Sequence, residues 1–125
     1  MTLKVDVVEN TSGGPVTLTD QVAAKMWSAS NGDTTIYDSS NLSSITDNGS
    51  GDNTYTLTSS MSSAYYSIYA MGRSDDNATG RMAAPCLTSQ RAVPTSSVYN
   101  IAFHYSNTDL RECDHETTGV IGDLA

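Results

Sequence analysis

The run Cys113-Asp114-His115-Glu116 packs the side-chain types that most often bind zinc or move protons into consecutive positions. Zinc needs about four ligands, usually supplied as two spaced pairs, and no second such pair stands elsewhere in the chain. The run is therefore expected to be a charged, solvated segment near the C-terminus, without a metal. Nucleophilic catalysis finds no better support. Serines are plentiful, but there is no Gly-x-Ser-x-Gly turn, and only His104 and His115 could act as the base. His104 falls opposite the aromatic face of its segment, where a surface or hydrogen-bonded imidazole is expected. Asn48-Gly49-Ser50-Gly51-Asp52-Asn53-Thr54-Tyr55 partly matches the repeat that binds calcium in β-rolls. It lacks the first Gly and the key Asp and occurs once, so a plain hairpin loop is expected. Asp75 and Asp76 are adjacent carboxylates, whereas glycosidases set two carboxyls across a cleft. Tyr65, Tyr66 and Tyr69 could stack on a sugar, although core or subunit packing is the commoner use of such rings. No catalytic, cofactor-binding or metal-binding residue is assigned.

These residues sit on segments that read as strands and turns. Leu3, Val5 and Val7 alternate with Lys4 and Asp6, the period of a strand. Asn10 to Pro15 is a turn built on Gly13 and Gly14, and Val16 and Leu18 flank Thr17 in a second short strand. Ala23 to Ala29 mixes helix formers with a following Ser-Asn-Gly-Asp and is read as a strand. Thr34 to Tyr37 is another. Asp47 to Asp52 is the strongest turn signal, and its flanks, with Thr54 to Thr58 alternating cleanly, predict a hairpin. Ala64 to Met71 predicts a strand with Tyr66, Ile68 and Ala70 on one face and Tyr65, Ser67, Tyr69 and Met71 on the other. Large side chains on both faces imply either a sandwich interior on one side and a partner on the other, or a strand central to both. Arg73 to Gly80 reads as an exposed loop, and Val98 to Tyr105 places Tyr99, Ile101, Phe103 and Tyr105 on one face.

The expected class is all-β, an antiparallel β-sandwich or meander completed by homo-oligomerisation. The 125 residues fit a single module, with an N-terminal strand pair over 1–19, a sheet core over 20–106 and a C-terminal segment over 107–125. The apolar share is 38% and leans on seven Tyr, which is lean for a core that must stand alone. Roughly 800 Å² buried per partner would complete it. A net charge of −8, with the cations scattered, argues against nucleic acid as a partner. The N-terminus alternates in polarity and lacks the apolar centre of a secretion signal, and no run approaches the ~20 apolar residues of a membrane span. A cytosolic, soluble product with no membrane insertion is expected, in which Cys86 and Cys113 stay reduced.

Several of these pieces recur in a known pattern. Leu3-Lys-Val-Asp-Val-Val-Glu-Asn-Thr-Ser-Gly-Gly, then Val16-Thr-Leu-Thr, then Ala23-Ala-Lys-Met-Trp, resemble a module of tail-fibre and virion structural proteins from phages of marine and related bacteria. Asn41-Leu-Ser-Ser-Ile-Thr-Asp-Asn-Gly-Ser-Gly-Asp52 is similar to that module nearly residue for residue. Tyr55-Thr-Leu-Thr, Met61-Ser-Ser-Ala-Tyr-Tyr and the terminal Gly122-Asp-Leu-Ala also resemble it. The likeness is strong over residues 2–72 and weak over 73–118, around Pro85 and Pro94. The family often closes with an apolar strand, where this chain has the charged Glu112 to Thr118.

The resemblance implies a non-enzymatic virion component, assembled in the host cytoplasm as a homotrimer alongside other tail or capsid proteins. The first expectation is a tail-fibre or host-adsorption module. The alternatives are a head decoration protein that cements the capsid, and a module that binds host surface polysaccharide.

Overall fold

The computed structural model describes residues 24–74, 82–86, 94–104 and 109–123. The strands expected over 3–8 and 16–18, and Asp75 and Asp76, lie outside those residues. The described residues form eight strands and no helix: β1 (Ala24–Ser30), β2 (Ile36–Ser40), β3 (Leu42–Asp47), β4 (Asp52–Leu57), β5 (Ser67–Ser74), β6 (Met82–Cys86), β7 (Val98–His104) and β8 (Cys113–Ile121). Every pairing is antiparallel, in the order β2-β1-β8-β5-β6-β7-β4-β3. The protein is an all-β sandwich, as the alternation predicts. The first sheet is β2-β1-β8-β5 and the second is β7-β4-β3. β6 joins them, pairing through Met82 and Ala83 with β5 and through Ala84 to Cys86 with β7.

Local chemistry explains most of these elements. The β3–β4 hairpin turns on Gly49 and Gly51, at φ of 127° and 65°, a region that glycine enters without a Cβ penalty. The Asp47 carboxylate accepts from the Gly49 amide at 2.7 Å, an Asx-type closure. Gly51 has a second reason to be glycine, because an added Cβ would run into the backbone of Arg111. At the other end of β3, Asn41 sits at φ 56° between β2 and β3. Its side-chain amide donates to the carbonyls of Lys25 and Ser59 at 3.0 and 3.1 Å, and its Oδ1 accepts from the Ser59 amide at 2.7 Å. One side chain thus closes the seam between the edge strands of the two sheets.

The core lies between the sheets. β4 and β7 contribute Tyr55, Leu57, Tyr99, Ile101 and Phe103, and β1 and β8 contribute Met26 and Val120, all buried. Tyr55 and Tyr99 are direct cross-strand partners, and their rings stack at 5.0 Å, an arrangement that adds to area burial. Met61 joins them from the segment before β5, while Leu42, Ile45, Tyr66, Ile68 and Ala70 pack at the margin.

Two expectations are corrected. The strand expected over Ala64 to Met71 runs instead over Ser67–Ser74, so Arg73 and Ser74, read as the start of an exposed loop, are strand residues. Cys113 to Glu116 reads from the sequence as a charged, solvated segment, and instead these residues open β8, the strand between β1 and β5 in the first sheet. Its inward positions are Glu116, Thr118 and Val120, all buried. Charge predicts solvent only when a side chain lacks partners, and Glu116 finds them across the sandwich.

Candidate functional site

Each candidate residue of the Cys-Asp-His-Glu run goes to its own partner. Cys113 is buried with a free thiol, which burial pushes up to about 12. Asp114 pairs with Arg73, whose guanidinium holds that carboxyl below the usual carboxylate range. His115 lies exposed and stacks on Tyr37, centroids 6.0 Å apart and nearly parallel. Glu116 points inward. Alternation turns His115 away from Glu116, and the register shift between Arg73 and Ser74 interrupts the alternation before Cys113, so the four do not share one face. Among the described residues no group of three or more His, Cys, Asp or Glu side chains is placed to hold a metal ion. The Cys86 side chain lies outside the described set.

The Tyr65, Tyr66 and Tyr69 trio is separated as well. Tyr65 is 97% exposed. Tyr66 is half-buried; its hydroxyl donates to the carbonyls of Thr95 and Val98, and its ring meets Tyr99 edge-on. Tyr69 faces outward. The three therefore form no single platform. His104 ends β7 in the second sheet and His115 lies on the first, so no shared base and nucleophile arise from them. A shallow cleft of about 310 Å³ is lined by Asn31, Asp33, Tyr37, Glu112, Cys113 and Asp114. Two of its carboxylates already serve the fold: Asp114 holds Arg73, and Glu112 Oε1 accepts from the Gly51 amide at 3.0 Å.

Two surfaces of the first sheet carry unusual chemistry. Inside, Glu116 is 0% exposed. Its Oε2 accepts from the Tyr55 hydroxyl at 2.8 Å and from Asn53 Nδ2 at 3.1 Å, both on β4 of the opposite sheet. Burial pushes its carboxyl upward, against the opposing effect of those two donors. Beside it, Thr118 donates to the Tyr69 carbonyl at 3.0 Å and shares a 3.1 Å contact with the Tyr99 hydroxyl. Burial raises the phenols of Tyr55 and Tyr99 too, so both stay protonated donors.

Outside, the register lines up Trp27 of β1, Gly119 of β8 and Tyr69 of β5. The Tyr69 phenol lies over Gly119, in the space that a Cβ there would fill. The next row is Ala29, Thr117 and Met71. Trp27, Tyr69 and Met71 remain 39%, 44% and 58% exposed, a contiguous apolar stripe on the face turned away from the core. The sequence pointed to Tyr69 and Met71 by alternation. It gave no sign of Trp27 beside them, because the intervening strand comes from the far end of the chain.

The arrangement is that of an antiparallel sandwich with a hydrogen-bonded carboxyl inside and an aromatic stripe outside. The chain matches no family model, no curated protein and no solved structure.

Proposed function

We propose that this chain is a non-enzymatic structural module on the exterior of a tailed bacteriophage particle, of the tail-fibre or host-adsorption type, joined to sister copies as a homotrimer. The observation that carries the reading is the outward stripe of Trp27, Tyr69 and Met71 on a sheet whose inner face is partly polar. Exposed contiguous apolar surface marks interaction sites on soluble proteins, and aromatic and Met side chains are enriched at interface centres. The resemblance of residues 2–72 to phage virion modules supplies the particle. The acidic balance fits a partner that is protein rather than nucleic acid.

Assembly is tested by light scattering on the purified chain, which should give about three times 13.3 kDa. Location is tested by imaging virions that carry a labelled copy. Density on the tail supports the adsorption reading; density on the capsid lattice replaces it with head decoration; absence from the particle refutes both.

A further inference from the structure

Glu116 differs from most buried carboxylates in its surroundings. Across the sandwich, β4 presents Asn53 and Tyr55, both neutral donors, and Tyr99 of β7 stacks on Tyr55. Its register partners in the first sheet are Ser30 of β1 and Gly72 of β5. From β8 itself come the Cys113 thiol and, just before the strand, the Glu112 carboxylate, which opposes a second negative charge. Among the described residues, the groups that act on Glu116 include no cation. Nearby, the buried Asn53 Oδ1, which can only accept, lacks a hydrogen-bond partner among the described residues. An ionised carboxylate only accepts, so it can satisfy neither Asn53 Oδ1 nor its own lost hydration. A carboxylic acid brings a donor.

We propose that Glu116 is a proton-operated tie between the two sheets. In its neutral form it accepts from Tyr55 and from Asn53 Nδ2 through Oε2, and donates from Oε1, which lies 3.4 Å from Asn53 Nδ2, to Asn53 Oδ1, closing an acid–amide pair. Ionisation sends that proton to solvent, leaves an uncompensated charge between the sheets and loosens the β4–β8 contact. The direction of the pH effect follows from linkage. Glu116 titrates higher when folded than the ordinary value of about 4.3, so the folded state binds more protons in that window. The contribution is full below the unfolded value and is lost as pH rises through the folded one. The tie is independent of the assembly and of the particle.

The test compares thermal melts of the wild-type chain and Glu116→Gln across mildly acid to neutral pH. The Gln carboxamide keeps both an acceptor and a donor at every pH. The wild type should lose stability relative to E116Q as pH rises; parallel curves overturn the proposal. Should E116Q fail to fold, carbon-13 carboxyl NMR on the wild type reads the same quantity, since Glu9, Glu112 and Glu116 are the chain's glutamates. Comparison with Glu112→Gln assists assignment. One carboxyl with a midpoint above the ordinary glutamate value is expected. Three ordinary midpoints, or a raised midpoint that falls when calcium is added, overturn it.

Discussion

The two faces of the first sheet depart from the usual pattern of a sandwich, although Met26 and Val120 still point into the core. Its inner positions include Ser28, Ser30, Glu116 and Thr118, all buried, while its outer positions carry Trp27, Tyr69 and Met71. Aromatic packing inside is concentrated on the other sheet, in Tyr55, Tyr99 and Phe103. On the inner face Glu116 and Thr118 are held by directional bonds while the Ser28 and Ser30 hydroxyls have no partner among the described residues, and the outer face carries an exposed apolar stripe. Burial of a polar group costs little when each bond is made and much when one is missing, whereas exposed apolar area adds stability only on association. Substitutions on the two faces should therefore be read out by different instruments.

Tyr99→Ala tests the aromatic side of the interior. It removes the ring that stacks on Tyr55 and meets Tyr66, and should cost about 3–5 kcal/mol by analogy with other aromatic truncations in cores. Denaturant unfolding in the Trp27→Ser, Tyr69→Ser, Met71→Ser background, which the account makes monomeric, checks it. Asn41→Ala removes three hydrogen bonds and puts an alanine at φ 56°. A loss of roughly 2–3 kcal/mol is expected at about 1 kcal/mol per bond. Amide exchange should localise it to the β2–β3 seam.

Tyr55→Phe keeps the stacked ring and deletes one donor to Glu116. At a pH where the carboxyl is ionised it should cost about 1–3 kcal/mol. It should also move the Glu116 midpoint further upward, because the phenol works to lower it. Stability would then begin its decline with rising pH from a carboxyl that is protonated over a wider range. Met71→Ser, on the outer face, should change the stability of the isolated chain by less than about 0.5 kcal/mol, as is usual for exposed sites. It should nonetheless weaken association. An outer-face variant as damaging to the monomer as Tyr99→Ala would break the distinction between the faces.

How far the sequence discloses this arrangement differs from element to element. The β3–β4 hairpin is legible because Asn-Gly-Ser-Gly-Asp supplies positive-φ positions between alternating flanks. β7 is legible through Tyr99, Ile101 and Phe103, and β5 through its two-faced alternation. β8 is not, because its inward residues are Glu116 and Thr118 and look like a solvated run. The partners of Glu116, Asn53 and Tyr55, are separated from it along the chain and meet it only through packing of the second sheet on the first. The outer stripe is half legible. Alternation gives Tyr69 and Met71 their direction, but the strand order that inserts β8 between β1 and β5, with Gly119 making room for a ring, is a property of the whole sheet.

The central claim is that the outward stripe is an association surface, and the most direct measurement is particle mass by light scattering for two proteins. These are the wild type and a chain with Trp27→Ser, Tyr69→Ser and Met71→Ser together, both shown by circular dichroism to keep their strand content. The account predicts about three chains per particle for the first and one for the second. A monomeric wild type, or a triple variant of unchanged mass, would contradict it.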